Sequence, residues 1–253
     1  MALTVKEASE TYQPAMRNVV DGGQNPTCSV CHTFVNPDFP RCYKCGMENP
    51  DEFEIVVPIS YSEHRGQLHH ALRLYKERLG SASAFAAVRL NAILWRYLDA
   101  HEDSIARHVG ADRFDVVTTV PSSDPKRDEE STLRMVVEEC APIEDRYERL
   151  LLPTGAISPD ERRYQPDRFV AQRPISADES VLLIDDTWTT GSRAQSAGTA
   201  LRAAGASSIA MVVIGRHLQP DWRPTPGEDP TCGQIFGDLP PFDWNHCLAN
   251  DGS

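Results

Sequence analysis

The chain has 253 residues, enough for one α/β domain of ordinary size plus a small accessory module. It is 40% hydrophobic, which supports a core, and no apolar run approaches the ~18 residues of a membrane span. A net charge of −12 and a pI near 5.1 repel phosphate backbones, which disfavours broad nucleic-acid binding and leaves only a local basic cleft open to it.

Residues 1–23 carry acids and no apolar stretch, so they are not a secretory signal. They are expected to be a mobile lead-in, and the chain is expected to be cytoplasmic. Two knuckles follow, Cys28-x-x-Cys31 and Cys42-x-x-Cys45, and this spacing reads as a tetrahedral structural Zn²⁺ site. Gly46, after the second pair, allows a tight turn that points amides at the thiolates. The absence of a secretion signal argues against disulfides. Residues 24–50 also hold Pro26, Pro37, Pro40 and Pro50 and few large apolar side chains. Such a segment needs metal to fold, a contribution of ~10–16 kcal/mol in finger peptides. His32 is expected to be a surface loop residue rather than a ligand. The α/β core is expected not to depend on this module.

Residues 54–61 (EIVVPISY) predict a strand. Leu68, Leu72, Tyr75 and Leu79 then recur on one face, which predicts a helix over 64–78. A second helix is predicted from about Ala82 to His108, carrying Phe85, Val88, Ile93, Leu94, Tyr97 and Leu98. Residues 114–120 read as a strand ended by Pro121, ESTLRMVVEECA as a helix, and ERLLLPTG as a strand and loop. Residues 153–172 read as an extended charged loop.

Residues 181–192, VLLIDDTWTTGS, carry the strongest chemical signal. Val181 to Ile184 predict a short buried strand, followed at once by Asp185 and Asp186 and then by a small hydroxyl-rich turn. SRAQSAGTALRAAG predicts a helix that Gly205 ends as its C′ residue. SSIAMVVIG predicts the next strand. Strand, loop, helix and strand make a parallel-sheet unit, in which ligands bind at the carboxyl end of the strand. Free amides and the helix dipole attract phosphate there. Gly191 permits close backbone approach, and Thr189, Thr190 and Ser192 add donors. Two adjacent carboxylates suit a vicinal diol, so the pattern fits a ribose 5-phosphate. Trp188 in the turn is either a core plug or a stacking surface.

This run resembles the motif by which type I phosphoribosyltransferases bind phosphoribosyl pyrophosphate (PRPP). Together with the paired knuckles, the layout resembles the ComF family, in which an N-terminal zinc ribbon precedes such a domain. LRLYK, ending in Lys76, VTTVPSSDPKR and RRYQPDRFV add weaker likenesses. The sequence departs from the family after VPSSDPKR, where DEESTLRM stands, and in its C-terminal extension. The resemblance implies an α/β type I phosphoribosyltransferase fold, a parallel sheet flanked by helices, over 54–219, behind a zinc ribbon over 24–50.

Within that resemblance, Asp185 and Asp186 are the catalytic pair and hold the ribose. Thr189, Thr190, Gly191, Ser192 and Arg193 hold the 5-phosphate. Ser122, Ser123, Lys126 and Arg127 stand where the family binds pyrophosphate, although the acids around them also fit a solvated turn. Lys76 has a site role or is a snorkelling surface lysine. Arg162, Arg163 and Arg168 fall in the segment that serves the family as a closing loop, or in an ordinary surface loop.

The implied activity is displacement of pyrophosphate from PRPP, accompanied by Mg²⁺, by a nitrogen nucleophile on a small-molecule acceptor. A homodimer is compatible with it. Two other readings stand: a non-catalytic PRPP or nucleotide binder accessory to DNA uptake or repair, and a zinc-dependent interaction module on an inactive scaffold. Residues 220–253 are rich in Pro and Gly and acidic. They are expected to pack Trp222, Phe236, Phe242 and Trp244 as an apolar belt. The alternative is a second metal held by His217, Cys232 and Cys247.

Overall fold

The computed structural model describes residues 3–21, 26–77, 80–225, 227 and 230–250. Its β-branched runs form β1 (Ile55–Glu63), β2 (Val116–Thr119), β5 (Ser180–Trp188) and β6 (Ser208–Leu218), with the short strands β3 (Leu151–Pro153) and β4 (Phe169–Ala171) between them. The four long strands make one parallel sheet in the order β1-β6-β5-β2. All their carboxyl ends therefore lie on one edge, where ligands of open α/β sheets collect.

Both faces of the sheet are covered, because successive side chains point to opposite sides. Val57, Ile59, Val117, Leu182, Ile184, Ala210 and Val212 pack with α2 (Gln67–Leu74), α3 (Ser81–His108) and α5 (Thr132–Glu138). Val56, Val116, Val181, Leu183, Ile209, Met211 and Val213 pack with α6 (Ser192–Ala204) and the β3–β4 hairpin. Gly205 caps α6 with φ 116°, and the Ile175 carbonyl would stand 2.4 Å from any Cβ there. Leu79, expected on the face of the first long helix, lies outside the described residues, and Phe85 and Val88 stay exposed.

Four expectations are corrected. Residues 3–21 are not loose: α1 (Val5–Glu10) is closed by a Thr4–Glu7 capping box, and Met16 and Val19 are buried. Residues 26–50 are not a separate module. Cys28, Val30, Cys31, Val35 and Cys45 belong to the same apolar cluster as β5, β6 and α6, so the core on that face includes the knuckles. Residues 153–172 are not simply extended, since β4 pairs antiparallel with β3. His32 is buried, its ring nitrogen 3.2 Å from the Val56 carbonyl.

The tail behaves as a belt in part. Phe242 and Trp244 pack edge to face, and Trp244 lies under the Arg96 guanidinium at 4.1 Å and donates to Gln13. Phe236, in α7 (Cys232–Asp238), packs against the cluster that holds Val19 and Tyr61. Trp222 stands apart, 46% exposed. Cys232 and Cys247 are buried in different clusters, and no His/Cys/Asp/Glu group among the described residues joins either to His217.

Candidate functional site

β5 runs past its apolar core into the acids, so Asp185 and Asp186 are strand residues and both are buried. A strand alternates its side chains, so two adjacent carboxylates point to opposite faces. Asp185 lines a cavity of about 300 Å³ with Thr187, Trp188, Thr189, Thr190, Gly191, Ser192 and Arg193, roofed by Pro159, Glu161 and Arg162. Asp186 turns to the helical side. It accepts from the Tyr75 hydroxyl at 2.5 Å and pairs with Lys76. The structure thus brings six of the seven expected ribose-phosphate residues together and sends Asp186 to the neighbouring side. It also supplies Tyr75, whose role a helical apolar position does not reveal.

The two carboxyls are shifted in opposite directions. Burial pushes Asp185 up to about 7, and the Asp186 charge adds to that, against the opposing pull of Arg193 and Lys76. Burial also acts to raise Asp186, but the Lys76 ammonium, its hydrogen bond, the Tyr75 hydroxyl and Arg193 outweigh it and hold Asp186 below the usual carboxylate range.

The turn after β5 is built to stay open. Gly191 is the N-cap of α6 with φ 76° and offers no capping side chain; the Thr190 hydroxyl takes only the Ser192 amide, at 3.4 Å. Its missing Cβ would stand 2.2 Å from the Trp188 ring, so only glycine fits. Trp188 is therefore the plug under the turn, 2% exposed and edge-on to Phe53 at 6.3 Å. Thr190 and Ser192 hydroxyls lie 3.2 Å apart at the mouth of the helix. Trp188 Nε1 is buried with no hydrogen-bond partner among the described residues.

The loop after β2 is arranged otherwise. Asp128 accepts from the Ser122 amide, and Asp124 caps α4 (Pro125–Glu129) by accepting from the Lys126 and Arg127 amides. Ser123 is buried and accepts from Arg168 at 2.9 Å. Lys126 and Arg127 are exposed, and neither lines the cavity. Arg168 is buried and also donates to the carbonyls of Glu161 and Arg163, so it ties the roof segment to the loop after β2. Arg163 pairs with Glu161, and only Arg162 of the three expected loop arginines lines the cavity. A wider cleft of about 760 Å³ lies between β4 and α6. Its one arginine, Arg173, is already engaged by Glu148 and Glu179.

The sulfurs of Cys28, Cys31, Cys42 and Cys45 all lie within 4.8 Å of one another, an arrangement that would hold a metal ion such as zinc. Arg216 explains why the cluster should be anionic. It is buried, its guanidinium lies 3.3 Å from Cys31 Sγ, and its other partners are the carbonyls of Cys31, Trp188, Thr189 and His217. No carboxylate is among them, so thiolate charge is what compensates the buried cation. Burial alone would lower the Arg216 pKa, and the cysteine charges raise it instead. The same side chain braces the turn after β5 against the knuckles, and Asn49 adds a bond to the Thr190 carbonyl at 2.8 Å.

No helix among the described residues is long and apolar enough to cross a membrane. The chain matches no family model, no curated protein and no solved structure.

Proposed function

We propose that the chain is a PRPP-binding protein of the phosphoribosyltransferase type, with zinc held by Cys28, Cys31, Cys42 and Cys45. The observation that carries the reading is the open turn at the carboxyl end of β5: Asp185, the Thr189–Arg193 donors and an uncapped helix around one cavity. The amides at the start of α6 and the Thr190 and Ser192 hydroxyls take the 5-phosphate. Ionised Asp185 accepts from a ribose hydroxyl. Asp186, kept charged by Lys76 and Tyr75, contributes negative potential beside the ribose and reaches its second hydroxyl only if that pair opens.

In the transfer reaction, the bond from C1 to the pyrophosphate oxygen breaks and a C1–N bond forms. The pyrophosphate leaves with the bonding electron pair, and the nucleophile loses a proton. Positive charge develops on the sugar ring, and buried Asp185 and Asp186 stabilise it electrostatically. Mg²⁺ bound with PRPP would supply positive charge to the leaving pyrophosphate. Arg162, on the roof, is placed to close over the ligand and exclude water.

One observation favours a second reading, binding without turnover. The expected pyrophosphate loop is folded onto Asp124, Asp128 and Arg168, and its cations point to solvent. Calorimetric titration with PRPP and Mg²⁺ tests the site. An assay of pyrophosphate release against a panel of nucleobases and amines then separates transfer from binding. Absence of PRPP binding by the zinc-loaded chain would sink both readings and leave the zinc-dependent interaction module.

A further inference from the structure

A second cluster of metal-type ligands lies on the same edge of the sheet, outside the cavity. His64 follows β1, His69 lies in the first turn of α2, and His217 is near the end of β6. One nitrogen from each ring lies within 4.8 Å of the others, and the ring centroids are 4.8, 5.0 and 5.5 Å apart. Around a tetrahedral ion with bonds of 2.0–2.1 Å, ligand nitrogens stand about 3.3 Å apart. Small side-chain rotations are enough to reach that.

The sequence goes to some expense to bring the rings together. His217 pairs across the sheet with Ser62, which sets it beside the end of β1. The chain then reverses through His64-Arg65-Gly66 into α2. Arg65 takes φ 65° to do so. Among the described residues, the only other non-glycine with positive φ is His32, beside Cys31 of the other cluster. Left-handed backbone at a bulky residue is strained and collects at functional sites.

Each neutral ring has one lone-pair nitrogen, and in two of the three rings a donor that a metal ion would replace marks which it is. The Arg65 amide donates to His69 Nδ1 at 2.8 Å, so that nitrogen is an acceptor. Gln219 Nε2 lies 3.2 Å from His217 Nε2, and an amide nitrogen can only donate. The Ser62 backbone partners the same histidine, the kind of outer contact that orients a metal-bound imidazole. His64 Nδ1 is buried and has no hydrogen-bond partner among the described residues.

We propose that His64, His69 and His217 form a second metal site, which takes a late first-row divalent ion such as Zn²⁺ or Ni²⁺ and shares no ligand with the four cysteines. Three imidazoles suit such ions and leave a coordination position for water or a substrate oxygen, unlike the closed cysteine site. The site stands independently of the PRPP reading.

The test uses the full-length, tag-free chain brought to one zinc per chain, so that the four cysteines are filled and the histidines are free. Titration with Ni²⁺ is followed by calorimetry, and zinc released into the same sample is measured by elemental analysis. The expected result is uptake of about one Ni²⁺ per chain with zinc retained. Affinity should fall roughly tenfold or more in His69→Ala and in His217→Asn, at least the loss that follows removal of an outer-shell partner of a metal ligand. His70→Ala, an exposed neighbour, should leave it unchanged. Circular dichroism checks that each variant is folded, and His69→Ala, on a half-buried helical position, serves if His217→Asn is not. The proposal is overturned by no Ni²⁺ uptake, by uptake matched mole for mole by released zinc, or by uptake that survives His69→Ala.

Discussion

Two loops leave the same edge of the sheet, and they dispose of similar side chains in opposite ways. The loop after β2 carries Ser122, Ser123, Lys126 and Arg127; the loop after β5 carries Thr189, Thr190, Ser192 and Arg193. In the first, Asp124 and Asp128 take up amides, Arg168 takes up the buried serine, and the cations face water. In the second, no acid lies in the turn, the helix behind it has no side-chain cap, and the plug beneath it is an indole. Hydroxyls and cations in a loop are therefore left free for a ligand only where no nearby carboxylate has already claimed the donors.

The sharpest break in that comparison is Gly191→Val. It forces a β-branched residue to φ 76° and drives a Cβ to within 2.2 Å of the Trp188 ring. The expected cost is about 2–5 kcal/mol in stability from strain and overpacking. PRPP affinity should fall beyond detection, since the turn must shift by more than a hydrogen bond tolerates. Urea denaturation and calorimetry read the two effects. A variant that keeps wild-type PRPP affinity would remove the turn from the site.

Cys42→Ser tests what holds the open turn in place. Loss of the metal should leave Arg216 as an uncompensated buried charge, at a cost of about 3–5 kcal/mol. Because Arg216 also binds the Trp188 and Thr189 carbonyls, PRPP affinity should drop with the zinc content. Elemental analysis and thermal denaturation check it; full zinc retention would end the four-cysteine assignment. Survival of the domain unchanged would restore the view of the knuckles as a separate module.

The two acids sharpen the comparison from within β5. Asp185→Asn should weaken PRPP binding roughly tenfold, since a hydrogen bond to a charged group contributes ~1.5–3 kcal/mol; Asp186→Asn should weaken it less, because Tyr75 and Lys76 hold that carboxylate and it acts on the ligand through its charge alone. They should differ in pH dependence. The Asp185 pKa is raised on folding, from 3.8 to about 7, so the folded state binds the extra proton. Its contribution to stability is complete below 3.8 and is lost as pH rises through about 7. Asp185→Asn should therefore raise Tm by roughly 2–8 °C at pH 8 and by little near pH 4. PRPP affinity of the wild-type chain should rise with pH over the same window. A Tm gain that is equal at both pH values would show that Asp185 titrates normally.

The strands and long helices were legible because their periodicities are local. VLLI, VVTT and AMVV are buried strands, and Gly205 ends α6 where a C′ glycine should. The turn TTGS was legible for the same reason, and so were the two knuckles. The different orientations of Asp185 and Asp186 were implicit in strand alternation, but only once the strand is known to run through the acids to Trp188. Nothing local marks Tyr75 as a partner of Asp186, 111 residues away. The three-histidine cluster was hidden for the same reason: His217 meets His64 and His69 through sheet register, and a linear reading grouped it with Cys232 and Cys247 instead. The docking of the knuckles was missed because Val30 and Val35 are too few to announce a buried face, although together with the cysteines they complete one.

The smallest effects should come from the loop after β2. Lys126→Ala and Arg127→Ala remove side chains that are exposed and outside the cavity. Arg127 is 82% exposed, and its nearest acid, Asp124, stands 3.9 Å away, a separation at which a surface pair contributes little. The amide bonds that cap α4 on Asp124 do not involve either side chain, so the loop keeps its fold. Each variant should change PRPP affinity less than about threefold, the scale of surface substitutions away from a site. Ser123→Ala should change stability more than binding, because it takes the acceptor from buried Arg168. A tenfold or larger loss of PRPP affinity in Arg127→Ala, with stability unchanged, would mean that the loop after β2 unfolds its internal bonds and swings to the pyrophosphate when the ligand arrives. The two loops would then be one site in two states, and the case for transfer over mere binding would gain its missing cation.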